Sequence, residues 1–195
     1  MGGEKMHTRD KIILGFRKLA EEKGFYSATV DELAARNNMS KRTIYRYFKS
    51  KEEIIEAVMY TFMTEVEGEV FGALDRIENP IEKITLFIQI VTQKLRTITP
   101  VLIRDLPKHY PQIWEKVEQF RTEKINCLTG IMVEGSKQGY LKEINHTVVT
   151  ASLLATVRAV VNPTFIMENN LTPEETFRTV MNTFLYGIVS KEQPN

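Results

Sequence analysis

The sequence predicts an all-α chain of about nine helices, with an N-terminal helix-turn-helix domain and a larger C-terminal helical domain. Apolar residues recur at three- and four-residue steps along most of the chain, which is the period of an α-helix. No stretch alternates polar and apolar residues as a half-buried strand does. Residues that cap or end helices stand between the periodic segments. The predicted domains are residues 1–52 and residues 53–195.

Three short helices are predicted within the first 50 residues. The first covers residues 8–23 and ends at Gly24, a residue type that commonly follows helices. Thr29, with Glu32 three residues later, forms the capping-box pattern that opens the second helix. Ser40 caps the third helix after a tight polar turn. Two short helices joined by such a turn indicate a helix-turn-helix unit.

The remainder of the chain continues the helical pattern. The predicted segments are 51–77, 80–98, a short helix and loop over 99–111, 112–138, 147–161 and 173–189. The helix after Pro80 is apolar over so much of its surface that we expect it in a core or beside a cavity. In the proline-rich connection, Arg104 and His109 are expected to lie in a solvated loop.

The composition is that of an ordinary globular protein of 195 residues, with 43% hydrophobic and 26% charged residues. A disordered or low-complexity chain is therefore excluded. The single cysteine excludes a disulfide framework and a multi-cysteine metal site. Cys127 lies on an apolar helix face, which favours a small core residue over a nucleophile. No apolar segment is typical of a signal peptide or a membrane span, so we expect a soluble, cytoplasmic protein.

The net charge of +1 conceals an asymmetry between the two ends of the chain. Residues 1–50 contain eleven Lys and Arg against six Asp and Glu, and residues 33–51 contain six basic residues and no acidic one. A basic block of this kind is often only a solvated helix face. Its position on the third helix of a helix-turn-helix unit favours nucleic-acid binding instead.

A helical wheel separates the third helix into two faces. With Ile44 pointing inward, Phe48 lies on the same side, and Arg42, Arg46 and Lys49 lie on the opposite side. The exposed N-terminal residues of such a helix reach base edges in the major groove, whereas hydroxyl groups suit phosphate oxygens. The predicted DNA-binding residues are Thr29, Ser40, Lys41, Arg42, Thr43, Tyr45, Arg46, Tyr47 and Lys51.

The same segment carries a family pattern. The run from Ser40 to Lys51 reads S-K-R-T-I-Y-R-Y-F-K-S-K, and it follows Gly24-Phe25 and an Ala-Thr-Val triplet. Over about the first 55 residues the chain closely resembles the DNA-binding segment of tetracycline-repressor-like (TetR) regulators. Arg42 departs from this pattern, because that family often carries a small residue there. The departure adds a side chain that can read a base.

The resemblance implies a homodimer, an operator and an effector. The last two helices of each protomer would form a four-helix interface, which would also bury the apolar stripe of the final helix. A small, largely apolar effector would bind among the middle helices, move the fourth helix and release a repressor from its palindromic operator. The candidate effector contacts are Phe87, Val91, Leu95, Trp114, Phe120 and Arg158. The candidate interface residues are Val157, Phe177, Val180, Met181, Phe184, Leu185 and Ile188.

Several alternatives stay open at this point. Arg158 either anchors an acidic ligand or pairs with a carboxylate across the dimer. A constitutive or architectural DNA-binding protein would share residues 1–55 and lack an effector cavity. An enzyme is disfavoured because the chain has no G-x-S-x-G, P-loop, dinucleotide-binding or H-E-x-x-H motif. We predict no cofactor and no metal.

Overall fold

The computed structural model of the chain describes residues 7–188, and helices form its regular structure, as the sequence predicts. Two helices are found where one was expected between residues 99 and 111, and a further short one follows Asn162. The latter begins because Asn162 Oδ1 accepts a hydrogen bond from the backbone N–H of Phe165 at 2.9 Å. The helices are α1 Thr8–Lys23, α2 Val30–Arg36, α3 Lys41–Tyr47, α4 Lys51–Leu74, α5 Pro80–Leu95, α6 Pro100–Arg104, α7 Leu106–His109, α8 Pro111–Lys137, α9 His146–Val160, α10 Pro163–Glu168 and α11 Pro173–Ile188.

The chain divides into two compact units. The first contains the residues up to Met63 together with Val101–Val117, and the second contains Thr64–Pro100 and the residues from Glu118 onward. The first unit is therefore larger than the helix-turn-helix motif from which the boundary after residue 52 is predicted. Helices α4 and α8 each contribute residues to both units.

The core of the first unit fixes α3 against α1 and α2. Helix α1 packs on α2, and α2 packs on α3. Phe16, Leu33 and Ile44, one from each helix, are fully buried. Phe25 extends this core from the loop after α1, where its ring stacks on that of Phe16 with centroids 6.3 Å apart. Burial of these large apolar side chains stabilises the arrangement and leaves the opposite surface of α3 outward.

Local hydrogen bonds confirm the predicted beginning of α2 and explain the turn after it. Thr29 Oγ1 accepts from the backbone N–H of Glu32 at 3.2 Å, and the Thr29 N–H donates to Glu32 Oε2 at 3.1 Å. These reciprocal bonds form the capping box. Asn38 then adopts a φ of 51°, in the left-handed region that asparagine tolerates better than most residues. The chain can thus turn within a few residues and begin α3.

The second unit is held together by apolar contacts among its long helices. Helix α11 packs against α5 and α9, and α10 packs against α9. Ile84, Leu153 and Met181, from α5, α9 and α11, are buried.

Three further observations bear on the functions considered above. Cys127 is exposed, so its interpretation as a core residue is wrong; the apolar stripe of α8 faces the other way. Within residues 7–188, no helix combines the length and apolarity needed to cross a membrane. In the same range, no three His, Cys, Asp or Glu side chains cluster as ligands of a metal ion would.

Candidate DNA-binding face

The N-terminus of α3 is fixed by Ser40. Its Oγ accepts a hydrogen bond from the backbone N–H of Thr43 at 3.0 Å and lies 2.9 Å from Thr43 Oγ1. On the buried side, Ile44 has no exposed surface and Phe48 has 3%. The helix is thereby held at its start and along one face. Its other face is presented outward at a fixed angle, as groove reading requires.

Five of the predicted DNA-binding residues come together on that outward face. They line one shallow concavity with a volume of about 520 Å³, and Tyr45 within it is 48% exposed. The lining residues are Ser40, Arg42, Thr43, Tyr45 and Arg46. Hydroxyl, phenol and guanidinium groups in one surface supply the donors that contact phosphates and base edges.

Two basic residues near this face are already paired with carboxylates. Arg36 makes a bidentate ion pair with Glu22, with distances of 2.6 and 2.7 Å, and this hydrogen bonding lowers the pKa of the Glu22 carboxyl. Lys41 forms an ion pair with Asp31. Arg36 and its partner connect α2 to α1, while Lys41 and its partner connect α3 to α2. Part of the basic block therefore stabilises the scaffold.

The other cations of α3, and Lys49 just after its end, are not neutralised in this way. Among residues 7–188, Arg42, Arg46 and Lys49 form no ion pair with a carboxylate, and all three are exposed. The Arg46 guanidinium lies over the Tyr47 ring, 5.3 Å from its centroid, which positions it without cancelling its charge. An exposed set of three unpaired cations creates a positive patch that attracts a polyanion.

The start of α1 adjoins the end of α3. Its residues are not among the predicted DNA-binding residues. A hydrogen bond with the Thr8 side chain, and then one with Arg46, lowers the pKa of the Tyr47 phenol. The Arg9 guanidinium lies 5.2 Å from the centroid of the Phe48 ring. Thr8 and Arg9 therefore belong to the same surface as Tyr47. The available signal was their place in the family pattern.

Thr29 and Lys51, both predicted phosphate contacts, are engaged within the protein. The Thr29 hydroxyl takes part in the capping box and also donates to Glu32 Oε2 at 2.9 Å. Lys51 Nζ donates to the backbone carbonyl of Tyr26 at 2.8 Å, and burial lowers the pKa of its ammonium group. Both side chains fasten helix starts in this structure. Their contact with DNA stays a prediction.

The buried carboxylate of Asp105 holds the loop between α1 and α2. The sequence analysis did not identify this residue. Asp105 Oδ2 accepts from the backbone N–H of Tyr26 at 2.9 Å, and Oδ1 accepts from Arg104 Nε at 3.0 Å. Arg104 Nη2 also lies 3.4 Å from the carbonyl oxygen of Lys23. Gly24 permits this approach, because its φ is +87° and a Cβ there would overlap Asp105 Oδ2. We call this arrangement the Asp105 clasp.

Arg104 and His109, beside the clasp, have exposed side chains that also contact the first unit. The His109 ring stacks on the Tyr26 ring with centroids 4.0 Å apart and an angle of 25° between their planes. Burial raises the pKa of the neighbouring Tyr110 phenol to about 12. Arg104 and His109 are therefore exposed, as expected, but they lie in helices α6 and α7 rather than in a loop. The prolines there end and start short helices that belong to the first unit.

The predicted effector contacts are divided between the units. Trp114 belongs to the first unit, and the other five belong to the second. Phe87 is buried, and Val91, Leu95 and Phe120 are partly exposed. Arg158 Nε lies 3.3 Å from Glu118 Oε2, and Arg158 Nη2 donates to Thr122 Oγ1 at 3.0 Å. Arg158 therefore has a carboxylate partner within its own protomer.

The predicted interface residues lie mostly below the surface of the single protomer. Phe184 is half-buried, and the side chain of Ile188 falls outside the described residues. The five that are buried are Val157, Phe177, Val180, Met181 and Leu185. The packing of α11 on α5 and α9 covers this stripe. The outward surfaces of these helices carry other residues: Tyr186, which is 77% exposed, and the alanines 151, 155 and 159 of α9.

The N-terminal segment matches a known family. The family model for bacterial regulatory proteins of the tetR family matches residues 12–58, which span α3 and most of the scaffold behind it. An uncharacterized HTH-type transcriptional regulator, YvaF of Bacillus subtilis (strain 168), is 26% identical over 189 residues. This similarity covers 94% of the chain and 97% of YvaF.

Solved structures share the fold along nearly the whole chain. The transcriptional regulator FadR from Bacillus subtilis, in complex with stearoyl-CoA, gives a TM-score of 0.71 at 21% identity, covering 92% of this chain and 98% of FadR. A transcriptional regulator from Saccharomonospora viridis, in complex with choline, gives a TM-score of 0.75 at 15% identity. The match covers 94% of this chain and 98% of that regulator. One of these two ligands is a large anion and the other a small cation. Likeness of fold therefore leaves effector chemistry open.

Proposed function

Because this chain belongs to the tetR family of bacterial regulatory proteins, we propose that it is a repressor that binds a palindromic operator as a homodimer and is released by a small effector. It acts through binding and not through catalysis. Its place of action is the cytoplasm, where the bacterial chromosome lies. The alternative, a DNA-binding protein that needs no effector, differs in the second unit alone.

The exposed, unpaired cations on α3 and just after its end are the observation that carries this proposal. Arg42, Arg46 and Lys49 have no carboxylate to exchange for a phosphate, so binding DNA costs them no existing ion pair. The Ser40 cap and the buried Ile44 hold the helix while its other face enters the major groove. Arg42, near the N-terminus of α3, is the residue expected to read a base.

The homodimer interface is proposed on the outward faces of α9 and α11. Residues 151, 155 and 159 of α9 are exposed alanines at helical spacing, so two such helices can approach closely. Phe184 of α11, the half-buried member of the predicted interface set, adds an aromatic side chain. The buried stripe that includes Phe177 and Met181 supports these faces from behind. A two-fold interface of this kind would set the reading helices about 34–36 Å apart, one turn of DNA.

The Asp105 clasp supplies a physical route for effector control. It binds the residues just before α8 to the Tyr26 backbone, which Lys51 at the start of α4 also holds. An effector that displaces residues 101–117 would act on these hydrogen bonds directly. A differential affinity of one or two kcal/mol between the two states shifts operator affinity several-fold to about thirty-fold.

The test is recovery of genomic DNA by the purified full-length protein. Sheared DNA from the source organism is incubated with the protein at several salt concentrations, and the retained fragments are sequenced. We expect one or a few palindromic sites, with affinity that falls steeply as salt rises. The Arg42→Ala variant is tested in parallel, because it removes one cation from the outward face of α3, here called the reading face.

Each result decides between the alternatives. Palindromic sites whose recovery falls when cell extract metabolites are added support an effector-controlled repressor. Uniform recovery without a motif contradicts sequence-specific regulation and favours the architectural alternative. If refolded, ligand-stripped protein also retains no DNA at low salt, the basic face is not a DNA-binding face.

A further inference from the structure

A groove runs along the seam between α5 and α11 in the second unit. Arg96, just after α5, contacts Glu174 in the first turn of α11, so the two helices run antiparallel. The groove has a volume of about 610 Å³, and both helices contribute to its lining. That volume lies within the range of about 300–1,000 Å³ that small-molecule sites occupy. We call it the α5–α11 groove.

One end of the groove is cationic. Arg96 Nη2 lies 3.4 Å and Arg178 Nε lies 3.6 Å from the same oxygen, Oε1 of Glu174. One carboxylate thus holds two guanidinium groups side by side and leaves an excess of one positive charge. Both arginine side chains are more than half exposed. A guanidinium presents five N–H donors in a planar fork that suits carboxylate and phosphate groups, so this end can accept a further anion.

The middle of the groove contains a buried hydroxyl without a partner. Thr92 lines the groove and is 7% exposed, and its Oγ1 makes no hydrogen bond among the described residues. Buried hydroxyl groups are almost always hydrogen-bonded, because leaving one unsatisfied costs free energy. Gln89, Gln93 and Asn182 line the same groove and add amide groups. This stretch suits a ligand with a polar atom between its two ends.

Apart from Thr85, the remaining lining is apolar or aromatic. Ile81 and Ile88 of α5 and Leu185 of α11 form the apolar wall, and the exposed Tyr186 ring stands beside it. Ile81 is in the first turn of α5 and Leu185 is near the end of α11, so these two residues lie toward the end opposite the arginines. The groove therefore grades from cationic through polar to apolar. Such a gradient matches a molecule with the same order of groups.

We propose that the α5–α11 groove binds a small amphipathic organic anion. Its acidic group lies against Arg96 and Arg178, a polar atom hydrogen-bonds Thr92 Oγ1, and its apolar or aromatic body lies along Ile81 and Leu185. This site goes beyond the proposed reading of DNA. It also shares no residue with the predicted effector contacts on α5, such as Phe87 and Val91, which occupy a different stripe of that helix.

Two fluorescent probes of nearly the same shape test the charge requirement. 1-Anilinonaphthalene-8-sulfonate carries an anionic group, and N-phenyl-1-naphthylamine is the same aromatic body without it. Each is titrated into the full-length protein and its variants, and dissociation constants are compared. We expect Arg96→Ala and Arg178→Ala each to weaken sulfonate binding about tenfold, and to change binding of the neutral probe less than about twofold.

Two further variants separate binding from structural damage. Arg76→Ala removes an exposed arginine of the same unit that does not line the groove, and it should leave both probes unaffected. Thr92→Val replaces the unpartnered hydroxyl with a methyl group of similar size. The protein should keep or gain thermal stability while it binds both probes more weakly, since each carries an N–H near its centre.

The outcomes are decisive in either direction. Loss of sulfonate affinity in the two groove arginine variants, with wild-type circular dichroism, supports the site. Equal affinity in wild type and both variants overturns it, because the probe then binds elsewhere. Sulfonate affinity that falls as protein concentration rises also overturns it, since a second copy of the chain would then be the occupant of the groove.

Discussion

The outward face of α3 and several surface positions of the second unit differ in how their cations are paired. Arg42 and Arg46 of α3, and Lys49 just after it, have no carboxylate partner among the described residues. In the second unit, Lys94 lies 2.5 Å from Glu69, Lys124 pairs with Glu67 and Arg158 pairs with Glu118. A paired cation must give up its partner before it can bind a phosphate, and an unpaired one need not. The unpaired cations on and just after α3 are therefore available to a phosphate without loss of an existing ion pair.

The largest expected loss of operator affinity comes from a substitution in the second unit, at the proposed dimer interface. Ala155→Glu would place a charge on the outward face of α9, and two copies would face each other across the proposed dimer axis. We expect a monomer and a loss of operator affinity of about hundredfold or more, since linked binding of two half-sites is lost. Sedimentation velocity and DNA titration measure both effects. Gln119→Glu, the same kind of change at an exposed position of α8, is the control.

If Ala155→Glu stays dimeric and binds DNA as the wild type does, the interface lies elsewhere. Phe184→Glu then becomes the next variant, because Phe184 is the half-buried member of the predicted interface set.

Two arginine substitutions compare the contribution of an unpaired cation to operator affinity with that of a paired one. Arg42→Ala removes an unpaired cation from the reading face, and we expect a loss of about 1–3 kcal/mol for the operator together with relaxed preference at one base pair. Arg36→Ala removes a cation already paired with Glu22, and it should change operator affinity by less than about 0.5 kcal/mol. Selection from a randomised site library measures both. An unchanged sequence profile for Arg42→Ala would contradict base reading by that residue.

The reading face could be predicted from the sequence because its determinants are local. Ser40 caps α3 through Thr43, three residues away, and Thr29 pairs with Glu32 at the same separation. Helical spacing then fixes which side Arg42 faces. Short-range capping and periodicity leave few alternatives, and five of the nine predicted residues share one outward face. The contact of all nine with DNA stays a prediction, and Lys51 instead reaches the Tyr26 carbonyl in this structure.

Features that depend on distant parts of the chain could not be predicted in this way. The Asp105 carboxylate meets the backbone of Tyr26, 79 residues earlier, and no local pattern encodes that distance. The apolar stripe of α11 correctly indicates burial of that face. It does not say whether α5 and α9 of the same protomer or a second protomer covers it, and Met181 proves to be buried in one chain. Periodicity identifies a buried face and leaves its neighbour unspecified.

The Asp105 clasp tests whether the first unit needs its long-range contact. Asp105→Asn keeps an acceptor for the Tyr26 N–H and loses the charge that faces Arg104. Asp105→Ala loses both and leaves a buried N–H without a partner. We expect destabilisation of about 1–3 kcal/mol for Ala and less for Asn, measured by urea unfolding. Equal stability of the two variants would show that the hydrogen bond to Tyr26 contributes little.

The smallest expected effect concerns Glu32, whose charge is paired although it lies beside the reading face. Hydrogen bonds from Lys23 and then Thr29 lower the pKa of the Glu32 carboxyl from 4.5 to about 2. A lowered folded-state pKa contributes stability that is complete above the unfolded pKa and is lost as pH falls through the folded one. The urea midpoint of the wild type should therefore decrease between about pH 4.5 and pH 2, and that of Glu32→Gln should decrease less. Lys23→Gln should flatten the profile in part, because Thr29 still donates to the carboxylate. Identical pH profiles for all three proteins would mean that this pairing is absent in solution.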